Sequence, residues 1–159
     1  MDKHAALPRL QQLFRQQRWA ALATLDRHGL PEGAMVAFVM AENLQQGYLH
    51  LSHLASHTRN LLSRPEAALV ISEADPGQGD PQQLARLSLQ LRIHPLKPEA
   101  PEYIAARTRY LSAFPDAEMR FGFSDFQLFV FDWHSARLVG GFAQATSFRP
   151  EDLHNMADS

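Results

Sequence analysis

The chain has 159 residues, of which 45% are hydrophobic and 20% charged, a composition that predicts one globular domain over residues 1–159. A formal net charge of -2 excludes a general electrostatic attraction to nucleic acid or anionic lipid. The absence of cysteine excludes disulfides, thiolate metal sites and a cysteine nucleophile, and no apolar run approaches the roughly 18 residues of a membrane span, so we expect a cytoplasmic protein without a membrane segment.

The first forty residues predict a helix followed by a β-hairpin. Leucine and phenylalanine recur at helical spacing over residues 7–17, where Pro8 would occupy a tolerated first-turn position. The apolar run at 19–25 predicts a strand, residues 26–29 (DRHG) predict a turn, and the apolar run at 33–40 predicts the second strand of the hairpin.

The next segment predicts a strand that leads into a short helix. Residues 48–54 (YLHLSHL) alternate as a half-buried strand does, with leucines on one face and His50 and Ser52 on the other. Ser56 is a suitable N-cap for a helix that ends before Pro65, because the residue preceding a proline disfavours the α region.

Residues 67–94 predict two strands joined by a loop. The apolar runs at 67–73 and 84–94 predict the strands, and the second shows the clearest period-two alternation in the chain. The Pro, Gly and Asp residues of the segment 74–83 predict an exposed loop between them.

The last third predicts a helix, a hairpin and a helical tail. Residues 126–133 and 136–142 predict a hairpin over a tight turn, and residues 150–159 predict a short helix. The tally of six or seven strands and three or four helices favours a closed or partly closed barrel with helices packed outside. Residues 99–113 predict a helix with this inner set: Tyr103, Ile104, Tyr110 and Leu111.

The stretch LSHLASHTRN (51–60) concentrates the polar side chains that chemistry would need. A strand that ends at Ser52 and a helix that starts near Ser56 would place hydroxyls and free backbone N–H groups together, which suits a phosphate. His57, Thr58 and Arg59 would add donors to the same turn. An ordinary capped helix with a solvated first turn explains the same residues, so both interpretations stay open.

Other kinds of site have weaker support in the sequence. His50, His53 and His57 fall at three- and four-residue intervals, but the first two would project to opposite faces of a strand, and no carboxylate lies between them to complete a zinc site. Nucleophile elbows, Walker A loops and GxGxxG runs are absent from the sequence.

The order of motifs resembles the FMN-binding split-barrel superfamily of pyridoxamine 5′-phosphate oxidase, and most closely its haem-utilisation, HugZ-like branch. The motifs that carry the resemblance are YLHLSHLASHTRNLLSRPEAALVISE, DPQQLARLSLQL, RYLSAFPDA and DFQLFVFDWHSARLVGGFAQA, and the resemblance extends from about Leu13 to Phe148. It implies a mainly β fold with flanking helices: a six-stranded Greek-key split β-barrel in a homodimer, with two FMN sites in clefts between the subunits.

The resemblance also implies which residues bind the cofactor. Ser52, Ser56, His57 and Thr58 match the segment that holds the FMN phosphate and ribityl chain, with Arg59 and Asn60 as further contacts in the same turn. The backbone at Met35 and Val36 would face the isoalloxazine edge. Arg86 and Trp133 would also contact the flavin, and Trp133 would do so from the other subunit.

Departures from the family pattern make vitamin B6 oxidation an unexpected activity for this chain. Ala34 and Val39 replace a basic pair on the second strand, and residues 137–141 (RLVGG) replace the pattern that binds pyridoxal phosphate. Leu91 and Ala143 stand where the HugZ-like branch has glycine.

Members of the HugZ-like branch bind haem at the dimer interface and ligate its iron with a histidine near the C-terminus. His154 is the candidate in this chain, with Asp125 or Asp152 as a partner that would orient its ring. A solvated histidine in a frayed helix is the alternative.

Three functions are therefore open. The first is a homodimeric FMN flavoprotein, an oxidoreductase acting on an unknown small molecule. The second is a haem-binding or haem-degrading protein that uses the same cleft. The third is a flavin- or ligand-binding module without turnover.

Overall fold

A computed structural model describes residues 2–141 and 144–157. The strands in that part of the chain are β1 (Trp19–Leu25), β2 (Pro31–Ala37), β3 (Val39–Met40), β4 (Gln46–Ser52), β5 (Glu66–Ser72), β6 (Arg86–Pro95), β7 (Phe126–Val139) and β8 (Ala145–Phe148). The helices are α1 (Lys3–Gln16), α2 (Ser56–Ser63), α3 (Tyr103–Ala113) and α4 (Pro150–Ala157), with short 3-10 helices at Pro81–Gln83 and Pro115–Gly122.

All eight strands belong to one curled antiparallel sheet with flanking helices. The order is β2-β1-β5-β6-β7-β4-β3, and β8 pairs with β7 beside this path. The predicted mainly β architecture is confirmed. The described residues contain eight strands, more than the six or seven that the sequence pattern predicts and the six that the resemblance implies. Within the described residues, no helix is both long and apolar enough to cross a membrane.

The main core fills the inside of the curled sheet and is closed by α1. Leu10, Leu13 and Phe14 of that helix are buried, and the Phe14 ring lies 5.9 Å from the indole of Trp133 on β7. Burial of these large side chains contributes roughly 1.5–3 kcal/mol each to the free energy of unfolding, which is how a helix with a central proline stays attached to the sheet.

A second core lies on the opposite face of β4 and β7, beneath α3 and the 3-10 helix Pro115–Gly122. Its centre is formed by Tyr110, Phe114 and Leu128. Because of this cover, His50 is only 8% exposed, although it lies on the face of β4 opposite the leucines, as predicted. The strand is buried on both faces, although its sequence alternates.

Helix α1 begins earlier than predicted. The carboxylate of Asp2 accepts a hydrogen bond from the backbone N–H of His4 at 3.3 Å and caps a helix that starts at Lys3, not at residue 7. Pro8 therefore lies inside the helix and not in its first turn. Its ring removes one backbone donor, a cost that the burial of the following turns offsets.

The predicted C-terminal hairpin is wrong. Strand β7 continues without a turn through His134 and Ser135, pairing with β6 along its length, and a register shift between Gln90 and Leu91 absorbs one extra residue at this point. The polar pair His134 and Ser135 between two apolar runs indicated a turn, but a β-bulge within a continuous strand has the same sequence pattern. The predicted strand end at residue 142, and Ala143, lie outside the described residues.

Three smaller corrections concern element ends. The predicted strand 33–40 starts at Pro31 and is interrupted at Phe38, whose N–H donates to the carbonyl of Arg18 at 3.1 Å. Helix α3 starts at Tyr103, and Ile104 is 77% exposed, so its predicted inner position is wrong. The predicted C-terminal helix is confirmed as α4.

Candidate functional site

A cleft of about 270 Å³ opens where β2 and the end of β4 meet the start of α2. It brings together four of the predicted cofactor-binding residues. These are Met35, Val36, Ser52 and His57. The sequence did not point to the other lining residues: Trp19, Ala37, His50, Leu51, Ala55, Tyr110, Arg120 and Phe126.

The walls of the cleft are mostly apolar and aromatic. The indole of Trp19 is 58% exposed and the side chain of Met35 49% exposed, large values for residues of this type. Both lie at the mouth of the cleft, where they present a flat apolar surface to a ligand or to another protein chain.

Arg120 is the cation of the cleft. Its guanidinium carbon lies 5.8 Å from the centre of the Phe126 ring, and no carboxylate pairs with it within the described residues. Burial raises the pKa of Tyr110, and the positive charge of Arg120 opposes that shift. A guanidinium beside aromatic walls suits a carboxylate carried by a largely apolar ligand.

Ser52 is held by an acidic residue that the sequence analysis did not connect with it. Its hydroxyl donates to the carboxylate of Asp125 at 2.7 Å and accepts from the N–H of Leu54 at 3.1 Å. The N–H of His53 also donates to the carbonyl of Asp125, at 2.6 Å. The hydroxyl of Ser52 is therefore committed to a structural contact.

Glu32 on β2 occupies the position at the start of α2 where a phosphate was expected. Its carboxylate accepts hydrogen bonds from the hydroxyl of Ser56 and from the side-chain amide of Asn60, the latter at 3.1 Å, and that amide also donates to the hydroxyl of Thr24 at 3.0 Å. The hydrogen bonds from Ser56 and Asn60 lower the pKa of Glu32, so its charge is favoured at neutral pH.

Ser56 is therefore not the N-cap of α2, as predicted. Ala55 holds the N-cap position without a side-chain hydrogen bond, and Ser56 is the first helical residue. The negative charge of Glu32 complements the positive end of the helix dipole instead. Sequence analysis missed this because Glu32 lies 24 residues before Ser56 and is brought to it only by the pairing of β2 with β1.

The predicted phosphate cradle does not fit a phosphate in this structure. Asp125 and Glu32 engage the hydroxyls of Ser52 and Ser56, so a phosphate dianion would meet two carboxylates. The hydroxyl of Thr58 has no partner among the described residues, but its side chain is completely buried and does not reach the cleft.

The remaining predicted phosphate contacts turn away from the cleft. Arg59 and Asn60 line, together with Ser56, a different cavity of about 510 Å³ that also contains Arg27 and Arg64. Arg59 donates to the carbonyl of Leu54 at 3.3 Å. The residues of the stretch 51–60 are thus divided between two cavities.

His57 is one of two histidines that line the cleft, and its imidazole is a candidate metal ligand. Burial lowers the pKa of His57, and the nearby carboxylate of Glu32 opposes that shift. The imidazole is therefore neutral at physiological pH, which is the form that ligates metals. The described residues contain no group of three or more His, Cys, Asp or Glu arranged as a metal site, so the open zinc hypothesis gains no support.

Two of the predicted flavin contacts lie elsewhere. Trp133 is 2% exposed in the main core, where its indole N–H donates to the carbonyl of Leu44 at 2.7 Å, so it has no surface with which to reach a ligand of another subunit. Arg86 donates to the carbonyls of Gln82 and Leu84 at 2.9 and 3.2 Å and does not line the cleft.

His154 lies on α4, where its ring contacts the side-chain amide of Gln45. Its predicted orienting partners are engaged elsewhere: Asp152 pairs with Lys3 at 2.9 Å, and Asp125 binds Ser52. Gln45 directly precedes β4 and Ser52 ends it, so His154 is on the order of 20 Å from the cleft of its own subunit.

Comparison with known proteins agrees with this fold. The CREG β-barrel family matches residues 1–155 of the chain. A haem-binding protein from Mycobacterium smegmatis has 28% identity and a TM-score of 0.81, over 98% of this chain and 61% of its own. This chain thus spans about three fifths of that protein.

Two further solved structures share the fold at lower identity. The haem storage protein HutZ from Vibrio cholerae has 18% identity and a TM-score of 0.72, over 89% of this chain and 92% of its own. An FAD-binding protein from Mesorhizobium loti has 11% identity and a TM-score of 0.63, over 89% and 90% of the two chains. No protein of curated function matches the chain by sequence. The predicted split-barrel superfamily is confirmed.

Proposed function

Because the chain belongs to the CREG β-barrel family, a split-barrel family with haem-binding and flavin-binding structural neighbours, we propose that its cleft binds haem. One observation carries this choice between the two ligands. The hydroxyls of Ser52 and Ser56 are directed at carboxylates, so the predicted cradle does not offer these two donors to a flavin phosphate. Haem has no phosphate; its anionic groups are two peripheral carboxylates on an apolar ring.

The lining of the cleft supports an apolar macrocycle. Trp19, Met35 and Phe126 supply flat apolar walls, and Arg120 supplies a cation for a peripheral carboxylate. When bound, haem would supply an iron centre whose reactivity depends on its axial ligand and the polarity around it. We do not propose the predicted FMN-dependent oxidoreductase, because the residues predicted to bind the FMN phosphate do not fit a phosphate.

We assign the role of candidate iron ligand to His57 within one subunit. Its neutral imidazole lines the cleft, whereas His154 lies at the other end of β4. A histidine from the C-terminal helix would need to come from a second subunit to reach the same cleft.

We also propose that the protein is a homodimer. Ala21 on β1 lies opposite Met35 on β2 and Val70 on β5, so these outward-facing side chains form one apolar row across three strands. Trp19 adds to this face, and the cleft opens beside it. At about 270 Å³ the cleft is smaller than the roughly 300–1,000 Å³ of complete ligand sites, which suits a half-site completed by a second copy. A cysteine-free chain needs no oxidising compartment, so the cytoplasm stays our proposed location.

The first prediction concerns ligand choice. Purified protein titrated with haemin, FMN and riboflavin should bind haemin at least about tenfold more tightly than either flavin, and FMN and riboflavin should differ by less than about threefold. A single charge-assisted phosphate contact is worth roughly 1.5–3 kcal/mol, or more than tenfold in affinity. An FMN affinity more than tenfold above that of riboflavin would therefore show that the phosphate is gripped and would refute our choice of haem.

The same titration tests the iron ligand with two alanine variants. His57→Ala should shift the Soret band and weaken haemin binding by about 10–100-fold, while His154→Ala should leave the spectrum unchanged. The reverse pattern would transfer the ligand to His154 and require the C-terminal helix of a second subunit. No change in either variant would show that neither of these two histidines ligates the iron and would refute the assignment of His57.

The second prediction concerns self-association. By light scattering after size exclusion, the protein should have a mass near twice the 17.9 kDa of one chain. Trp19→Asp should give a monomer because it places a charge in the apolar row, whereas Ile104→Asp, at a more exposed apolar residue on α3, should remain a dimer. A monomeric wild-type protein would contradict the proposed homodimer.

A further inference from the structure

A second cavity of about 240 Å³ lies behind the cleft, and we call it the His50 chamber. His50 and Phe126 line both spaces and so form their common wall. Tyr103, Phe121 and Ser124 also line the chamber but not the cleft. The remaining lining residues are His53, Leu96, Pro98, Gln127 and Leu128.

His50 is held tightly by aromatic rings, but its polar atoms are not satisfied. Its ring stacks on Phe121 with 3.9 Å between centroids and 8° between planes, and the Phe126 and Tyr110 rings lie 5.2 and 5.7 Å away. The side chain is more than nine-tenths buried, and its Nδ1 atom is enclosed without a hydrogen-bond partner among the described residues. Buried polar groups almost always have a partner, so the unpaired Nδ1 restricts where this ring can hold its proton.

The arrangement suggests which nitrogen carries the proton. Burial lowers the pKa of His50 to about 4, with Arg120 adding to the effect, so the ring is neutral at physiological pH and has one N–H and one lone pair. Nδ1 is completely enclosed without a partner. An enclosed lone pair costs less than an enclosed N–H, so we place the proton on Nε2, from which it can be donated to a ligand.

The chamber lining favours an uncharged aromatic molecule. None of its ten lining residues is Lys, Arg, Asp or Glu, so an ion would lose its hydration without a charged partner among them. Phe121, Phe126 and Tyr103 provide aromatic walls. His53 Nε2 and Gln127 Oε1 are paired at 2.8 Å, and His50 is the buried polar residue of the chamber lining.

We propose that the His50 chamber is a binding site for a small neutral single-ring aromatic molecule whose carbonyl or phenol oxygen accepts a hydrogen bond from His50. This site is distinct from the cleft and does not depend on haem. A ligand in the chamber would contact His50 and Phe126, which also line the cleft, so its binding would affect two residues of the cleft wall.

Three probes of the same shape test the site. Benzamide has the acceptor and no charge, benzoate adds a charge, and toluene lacks the acceptor. In titrations of the purified protein followed by the histidine 1H–15N signals, benzamide should bind with a Kd of about 1 mM, as expected for so few atoms, and should shift the His50 signals. Benzoate and toluene should each bind at least about tenfold more weakly.

Matched variants connect the binding to His50. His50→Phe and His50→Leu should each weaken benzamide binding about tenfold or more, while His94→Phe, at an exposed histidine on β6, should leave it unchanged. Two substitutions of His50 are used so that one still provides the test if the other folds poorly. Absence of benzamide binding at 20 mM, benzoate binding as tight as benzamide binding, or benzamide affinity within about threefold of wild type in both His50 variants would each overturn the proposal.

Discussion

Gly47→Ala should lower the free energy of unfolding by about 3 kcal/mol, the largest effect that we expect from adding a single methyl group to this protein. Gly47 lies on β4 opposite Phe131 of β7, whose ring covers the glycine backbone. A Cβ atom at this position would lie 2.5 Å from Cε1 and 2.8 Å from Cε2 of that ring, and closer still to Cζ. The Phe131 side chain has no exposed surface and cannot move aside without displacing the main core.

Thermal unfolding provides the measurement. For a chain of this size, a loss of about 3 kcal/mol should lower the Tm by roughly 6–12 °C. Gly33→Ala is the matched control, because a Cβ atom there meets nothing within 4 Å, and it should change the free energy of unfolding by less than about 0.5 kcal/mol. Adding Phe131→Leu to Gly47→Ala should recover part of the loss, with a coupling of at least about 1 kcal/mol. Equal Tm values for the two alanine variants would show that the ring adjusts without cost.

The Gly47 contact illustrates which features of the fold the sequence could predict. Strands β1, β5 and β6 were predicted to within two residues because their apolar patterns depend on local geometry alone. Features that depend on pairing were missed: the uninterrupted course of β7 through His134 is stabilised by its long contact with β6, and the burial of His50 results from helices that follow it by more than fifty residues.

The site shows the same limit. Family resemblance assigned Met35, Val36, Ser52 and His57 to one cofactor, and the structure brings these four residues together in one cleft. It could not reveal that Glu32 and Asp125 would take the hydrogen bonds of two predicted phosphate donors, since these partners are distant in sequence and carry the wrong charge for that role. Proteins that share a fold can therefore differ in chemistry because of hydrogen-bond partners, such as Glu32 and Asp125, that lie outside the stretch 51–60.

His50 should make the protein sensitive to mild acid. The burial that lowers its pKa from 6.5 to about 4 means that the unfolded chain binds a proton more readily than the folded one between these two values. Since the unfolded state then holds more protons, the free energy of unfolding falls as the pH decreases through this window. The His50 contribution is complete above pH 6.5 and lost towards pH 4, a change on the order of 3 kcal/mol.

Comparison of the wild-type protein with His50→Phe isolates this contribution from the other histidines and carboxylates. At pH 7.5 the variant should be at least as stable, because phenylalanine keeps an aromatic ring against Phe121 and removes an unpartnered polar atom. Between pH 7 and pH 4 the wild-type protein should lose on the order of 3 kcal/mol more than the variant in urea-unfolding experiments. His94→Phe should follow the wild-type curve, because His94 is exposed. Parallel pH profiles for the wild-type protein and His50→Phe would mean that His50 is protonated in the fold as easily as in water, and would also remove the neutral imidazole on which the chamber depends.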